Sequence, residues 1–118
     1  MLKETRMARK IPSVYAKMKA QHPDLLEAYE ALGAACARAG PLDAKTVALV
    51  KLATSLGAGL EGAAHSHTRK ALDAGWTPEE LLHAATLGTP TIGFPSMMRN
   101  RGWVLDVVGP PRRKPTRQ

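Results

Sequence analysis

No stretch of the 118-residue chain alternates apolar and polar residues over the length of a strand, so the period-two pattern of a half-buried strand is missing. What recurs is the three-to-four spacing of helices, in a sequence with 19 alanines, 10 glycines and few aromatics. The expected fold class is therefore all-α. Small side chains make thin helices that approach one another closely, but each helix buries little apolar area. A lone chain of this length is then short of core, and self-association into a homo-oligomer is the expected remedy. The length suits one domain. The expected organisation is a basic N-terminal segment over residues 1–11, a single helical domain over 12–108 and a disordered basic tail over 109–118.

Local signals divide the domain. A short first helix is expected from Pro12 to Gln21, broken at His22-Pro23-Asp24 because proline disfavours helix in the residue before it. A second should run from Pro23 to Ala39, with Leu25, Leu26, Tyr29, Leu32 and Cys36 on one face. Asp43 is an N-cap for a third, "AKTVALVKLATSLG", which is apolar nearly all round and hence expected to be central. Gly57-Ala58-Gly59 turns the chain into a fourth helix that Gly75 closes. Thr77-Pro78-Glu79-Glu80 carries a capping threonine, a first-turn proline and a capping-box glutamate, and starts a fifth helix ending near Leu87. "GTPTIGFP" reads as a break, in which Gly93 to Pro95 either line a pocket or turn the chain. A last helix is expected from Ser96 to Val108.

The formal charge of +7 sits at the ends. Residues 1–19 carry +5, residues 20–109 carry −2 and the rest +4. The folded body is close to neutral, with neither a recognition helix nor stacking aromatics, so a nucleic-acid partner is not expected. The sequence has neither a signal peptide nor a membrane-length apolar run, which implies a cytoplasmic protein without a membrane partner. The single cysteine, Cys36, has no internal disulfide partner and reads as a small buried residue rather than a reactive thiol.

The ionisable groups of interest lie in "LEGAAHSHTRKALDAG", Leu60 to Gly75. At about 100° per residue, Leu60, Ala63, Ala64, His67, Ala71 and Ala74 share one stripe, apolar except for His67. Glu61, His65, Arg69 and Asp73 form a polar stripe beside it. His67 should thus point inward, as the titratable group of a pocket or as a core histidine satisfied by a backbone carbonyl. His65 should lie nearer solvent. Glu61 and His65, at i and i+4, could share a metal ion, although no cofactor is expected. A catalytic zinc site normally has three protein ligands, and His83 could be the third only if the fifth helix folds back. Lys51, a cation in the apolar third helix, either snorkels to solvent or pairs with Glu61 across the hairpin. Ser66 is adjacent to both histidines in sequence but faces neither, and "GAG" at 57–59 lacks the lysine and spacing of a phosphate loop.

With "LDAKTVALVKLA", "HTRKALDAGWTPEELLHA" and "TIGFPSMM" in this order, residues 23–108 resemble the carboxymuconolactone decarboxylase and alkylhydroperoxidase D-like family. The resemblance implies an all-helical fold built on a central antiparallel helix hairpin and assembled as homotrimers or homohexamers. The redox branch of that family carries C-x-x-C-x-x-x-H with a glutamate one helix earlier. With its histidine placed on His67, its cysteines fall at Leu60 and Ala63 and its glutamate near Ala48. The decarboxylase branch looks like E-x-x-x-H, which places Ala63 at the carboxylate position, whereas Glu61 and His65 reproduce the spacing two residues early. The expectation is a member without thiol peroxidase chemistry. It would perform lyase- or isomerase-like acid/base chemistry on a small carboxylated or lactone-like molecule, with His67 as proton carrier and Glu61 and His65 as orienting or secondary groups. A non-catalytic oligomeric module binding a ligand or partner is the alternative.

Overall fold

A computed structural model describes residues 13–110. The basic segment 1–11 and all but the first two residues of the basic tail lie outside the described residues. The regular structure described is helical throughout: α1 Ser13–Gln21, α2 Pro23–Ala37, α3 Ala44–Ala58, α4 Glu61–Asp73, α5 Pro78–Thr86, α6 Thr89–Ile92 and α7 Phe94–Val108. None of these helices is long and apolar enough to cross a membrane.

Local chemistry sets most of the boundaries. The Asp43 carboxylate accepts from the Thr46 amide at 2.8 Å and caps α3, satisfying one of the amides that a helix start leaves without an intrahelical partner. At α5 the capping box is complete: the Thr77 hydroxyl accepts from the Glu80 amide at 3.1 Å, and the Glu80 carboxylate from the Thr77 amide at 2.9 Å. Two expectations are corrected between α5 and the C-terminus. The segment read as a break holds a one-turn helix, α6, and α7 begins two residues early, at Phe94. Pro95 is tolerated there because the first-turn amides need no helical acceptor. Gly93, with φ +95°, turns the chain into α7, and Phe94 and Pro95 belong to the first turn of that helix.

Packing is centred on α4, which lies along α3 as a hairpin and also against α7 and α5. The core gathers Leu52 and Leu56 of α3, Ala64 and Ala71 of α4, Leu81, Leu82 and Ala85 of α5, and Val104 of α7. The apolar α3, expected to be central, is buried only along Leu52, Ser55 and Leu56. Val50 on its other side is exposed. The physical reason lies in side-chain size: alanines let α4 be approached from several sides, and its neighbours supply the leucines. Asn100 of α7, 1% exposed, donates to the Leu56 carbonyl at 3.0 Å. The Trp76 indole donates to the Lys45 carbonyl at 2.7 Å.

The α1–α2 pair stands more apart. It is joined by the Tyr15 hydroxyl donating to Glu30 at 2.8 Å and by a Lys19–Glu30 ion pair at 3.9 Å. On the apolar face expected of α2 only Leu26 is buried, whereas Leu25, Tyr29 and Leu32 are 52%, 63% and 62% exposed. Cys36, expected to be buried, is exposed as well. Among the described residues nothing covers this face.

Candidate functional site

The hairpin turn places the groups carried by α4. Gly59 ends α3 with φ +71°, and a Cβ there would lie 3.2 Å from the Arg99 guanidinium. Both the left-handed backbone and the close approach call for glycine. The turn sets Leu60 ahead of α4, with Glu61 as its first residue.

On α4 the buried ridge is Ala64, Thr68 and Ala71, each fully buried. The expected inward stripe through Leu60 and His67 is therefore rotated: Leu60 is exposed, and His67 is only partly buried. Thr68 was passed over by sequence reasoning because threonine reads as polar. Its hydroxyl donates to the Ala64 carbonyl at 2.7 Å, so the helix itself supplies the partner that burial demands. At 100° per residue, His67 lies to one side of this ridge, and Glu61 and His65 lie to the other.

One of the two ring nitrogens of His67 is left without a partner. Its Nδ1 atom is buried and has no hydrogen-bond partner among the described residues, so a backbone carbonyl does not anchor the ring at that nitrogen. Burial lowers its pKa from the ordinary 6.5, and the positive charges of Lys70 and Lys51 push it the same way. The imidazole is thus neutral at neutral pH, able to accept a proton at one nitrogen and donate one at the other. Lys51 of α3 is partly buried, with its Nζ 3.9 Å from where a Cβ on Gly33 of α2 would stand. The pairing of Lys51 with Glu61 does not form.

The lowered pKa has a consequence for stability. Between the folded and unfolded values of His67 the unfolded chain binds more protons, so stability rises with pH across that window. The contribution is complete above the ordinary histidine range and is lost as pH falls through 6.5 toward the lower folded value. Urea unfolding of the wild-type chain and His67→Gln between pH 5 and pH 8 should show the acid-side loss shrinking in the variant, and parallel profiles would refute it.

On the other flank, His65 Nε2 lies 2.9 Å from Asp106 Oδ2 of α7. The Glu61 carboxylate joins them, and one donor atom from each of the three residues falls within 4.8 Å of the others. His83, the third ligand considered from the sequence, is exposed on α5 and outside this group. Asp106 takes its place. No sequence signal pointed to it, because it lies 41 residues beyond His65 and enters only through the packing of α7 on α4. The helices therefore bring Glu61 and His65 together, and the angular spacing carries His67 away from both.

Fold and site together define a small all-helical protein in which the second helix of a hairpin presents a neutral imidazole on one flank and a histidine–carboxylate group on the other. The model of the carboxymuconolactone decarboxylase family matches residues 23–106, and the chain belongs to that family. An uncharacterized protein of Haemophilus influenzae is 39% identical over 57 residues, a match covering 48% of this chain and 50% of that protein. The chain thus spans about half the length of this curated relative. No solved structure matches significantly.

Proposed function

We propose that the protein performs general acid/base chemistry, of a lyase or isomerase kind, on a small carboxylated or lactone-like molecule, with His67 as the proton carrier. The observation that carries this reading is the buried, unpartnered Nδ1 of an imidazole held neutral. A histidine kept only for packing would find a backbone carbonyl, because leaving a buried ring nitrogen unpaired costs roughly 1–3 kcal/mol. An uncommitted ring nitrogen leaves the imidazole free to exchange a proton. Lys51 and Lys70 add positive charge near the ring, which suits a carboxylate on the molecule bound. Glu61 and His65 are assigned a secondary role, since the other flank of α4 carries them.

Thiol chemistry is not part of this reading. Leu60 and Ala63 stand where the redox branch would have cysteines, and Cys36 is the single cysteine of the chain. The test is a panel of carboxylated lactones and β-keto acids, led by carboxymuconolactone, with an alkyl hydroperoxide plus dithiol as a further arm. Turnover in the first group that depends on His67 supports the proposal. Thiol-dependent peroxide reduction at enzymatic rates would overturn it. Silence across the panel would favour the non-catalytic binding module, for which the replaced motif positions Ala48, Leu60 and Ala63 speak.

The proposal extends to assembly as a homotrimer or homohexamer. Its support is the uncovered face of α2, since contiguous exposed apolar surface marks an interaction site. Native mass spectrometry should find a trimer or hexamer for the wild-type chain and a shift toward monomer for Leu32→Glu, which introduces an unpaired charge on that face. A monomeric wild-type chain would contradict it.

A further inference from the structure

We propose that Glu61, His65 and Asp106 form a binding site for a divalent transition-metal ion, with Zn2+ as the expected occupant. The donors are two carboxylates and one imidazole, brought from two helices onto one spot. Glu61 and His65 are one turn apart on the same face of α4, and Asp106 reaches them from α7. Ala64 and Val104, both fully buried in the common core, fix the backbones that carry the three side chains. The donors therefore stand on rigid elements rather than on loops, as a defined site requires.

Donor chemistry narrows the ion. Calcium and magnesium favour oxygen ligands throughout, and the thiolates or thioethers that select Cu(I) are absent from this group. A mixed nitrogen and oxygen set suits Zn2+, whose bonds to such atoms are about 2.0–2.2 Å long. In a tetrahedron those lengths place neighbouring donors about 3.4 Å apart. The present spread of up to 4.8 Å lies within reach of small rotamer changes of three partly or fully exposed side chains. The 2.9 Å contact between His65 and Asp106 has to open by about half an ångström for the ion to enter, by the same tetrahedral geometry.

Glu61 makes no hydrogen bond or ion pair with another described residue. Two carboxylates thus stand close together with one of them uncommitted, an arrangement that a cation between them would stabilise. Three protein ligands leave one tetrahedral position for water, as open zinc sites do. Binding requires the Nε2 lone pair of His65, so the imidazole must carry its proton on Nδ1. This site lies on the opposite flank of α4 from His67, so its test does not depend on His67 as proton carrier, although it makes ligands of Glu61 and His65 in place of the secondary role given them above.

The full-length chain, stripped with a chelator and dialysed, is titrated with Zn2+ by calorimetry at pH 7.5, with Co2+ absorption as a second readout. One ion per chain is expected, together with the visible bands of low-coordinate Co2+. Asp106→Asn and His65→Gln should each weaken binding at least about tenfold, since losing even an outer partner of a metal ligand costs roughly 10–100-fold. Both positions are at least partly exposed, and circular dichroism verifies that the variants remain helical. In NMR spectra, Zn2+ should shift the His65 ring resonances and leave those of His67 unchanged. Absence of saturable binding overturns the proposal, as does binding that Asp106→Asn leaves intact, which would show that the three residues do not act as one site.

Discussion

Turnover by a His67→Gln variant should fall by about 10²–10⁴-fold, the range that a positioned proton carrier contributes. Glutamine fills nearly the same volume and retains polar atoms but does not titrate, so helicity and subunit count should stay as in the wild-type chain. The loss should appear in kcat more than in KM, because proton transfer is made in the transition state and not in the bound complex. The pH profile gives a second check. A base whose pKa lies below 6.5 remains competent below the pH at which an ordinary histidine fails, so the acid limb of kcat/KM for the wild-type chain should lie under that value. An unchanged rate in the variant would remove His67 from the mechanism. An acid limb well above 6.5 would assign it to another group.

A second large effect concerns the core. Leu81→Ala should lower the unfolding free energy by about 2–5 kcal/mol, read from the urea midpoint at unchanged slope. Leu81 is fully buried on α5 within the cluster of Leu52, Leu82 and Val104. The cost should lie high in that range because its neighbours Leu52 and Val104 are themselves fully buried, which limits how far the site can collapse around the cavity. A loss below about 1 kcal/mol, far under the usual range for this substitution, would show that α4 and α5 close up readily and that the close packing inferred for α4 is wrong.

Side-chain size explains what could be read from the sequence about α3 and α4. Hydropathy singles out α3 as central because it is apolar on most sides. The structure gives that place to α4, since burial at a helix crossing rewards small side chains as well as greasy ones. An alanine stripe has a weak periodic signal, and a threonine that bonds to its own helix leaves none. The inward face was consequently read one position off, and His67 turned out to flank the buried ridge rather than stand in it. On α2 the apolar spacing was read correctly as a face but wrongly as a buried one, Cys36 included, because spacing says which residues align and not what covers them.

The sequence by itself determined the helical class, the Asp43 and Thr77 caps, the glycine turn at 59, the family and the pairing of Glu61 with His65. Each of these rests on interactions within a few residues or on a motif, where chain connectivity fixes the geometry. Only the tertiary structure decided that His67 Nδ1 is buried without a partner, that Lys51 stands near Gly33 rather than Glu61, and that Asp106 completes the group at His65. Those facts depend on how α7 and α3 lie against α4, and contacts between residues distant in sequence are set by the packing of whole helices, which no local spacing encodes.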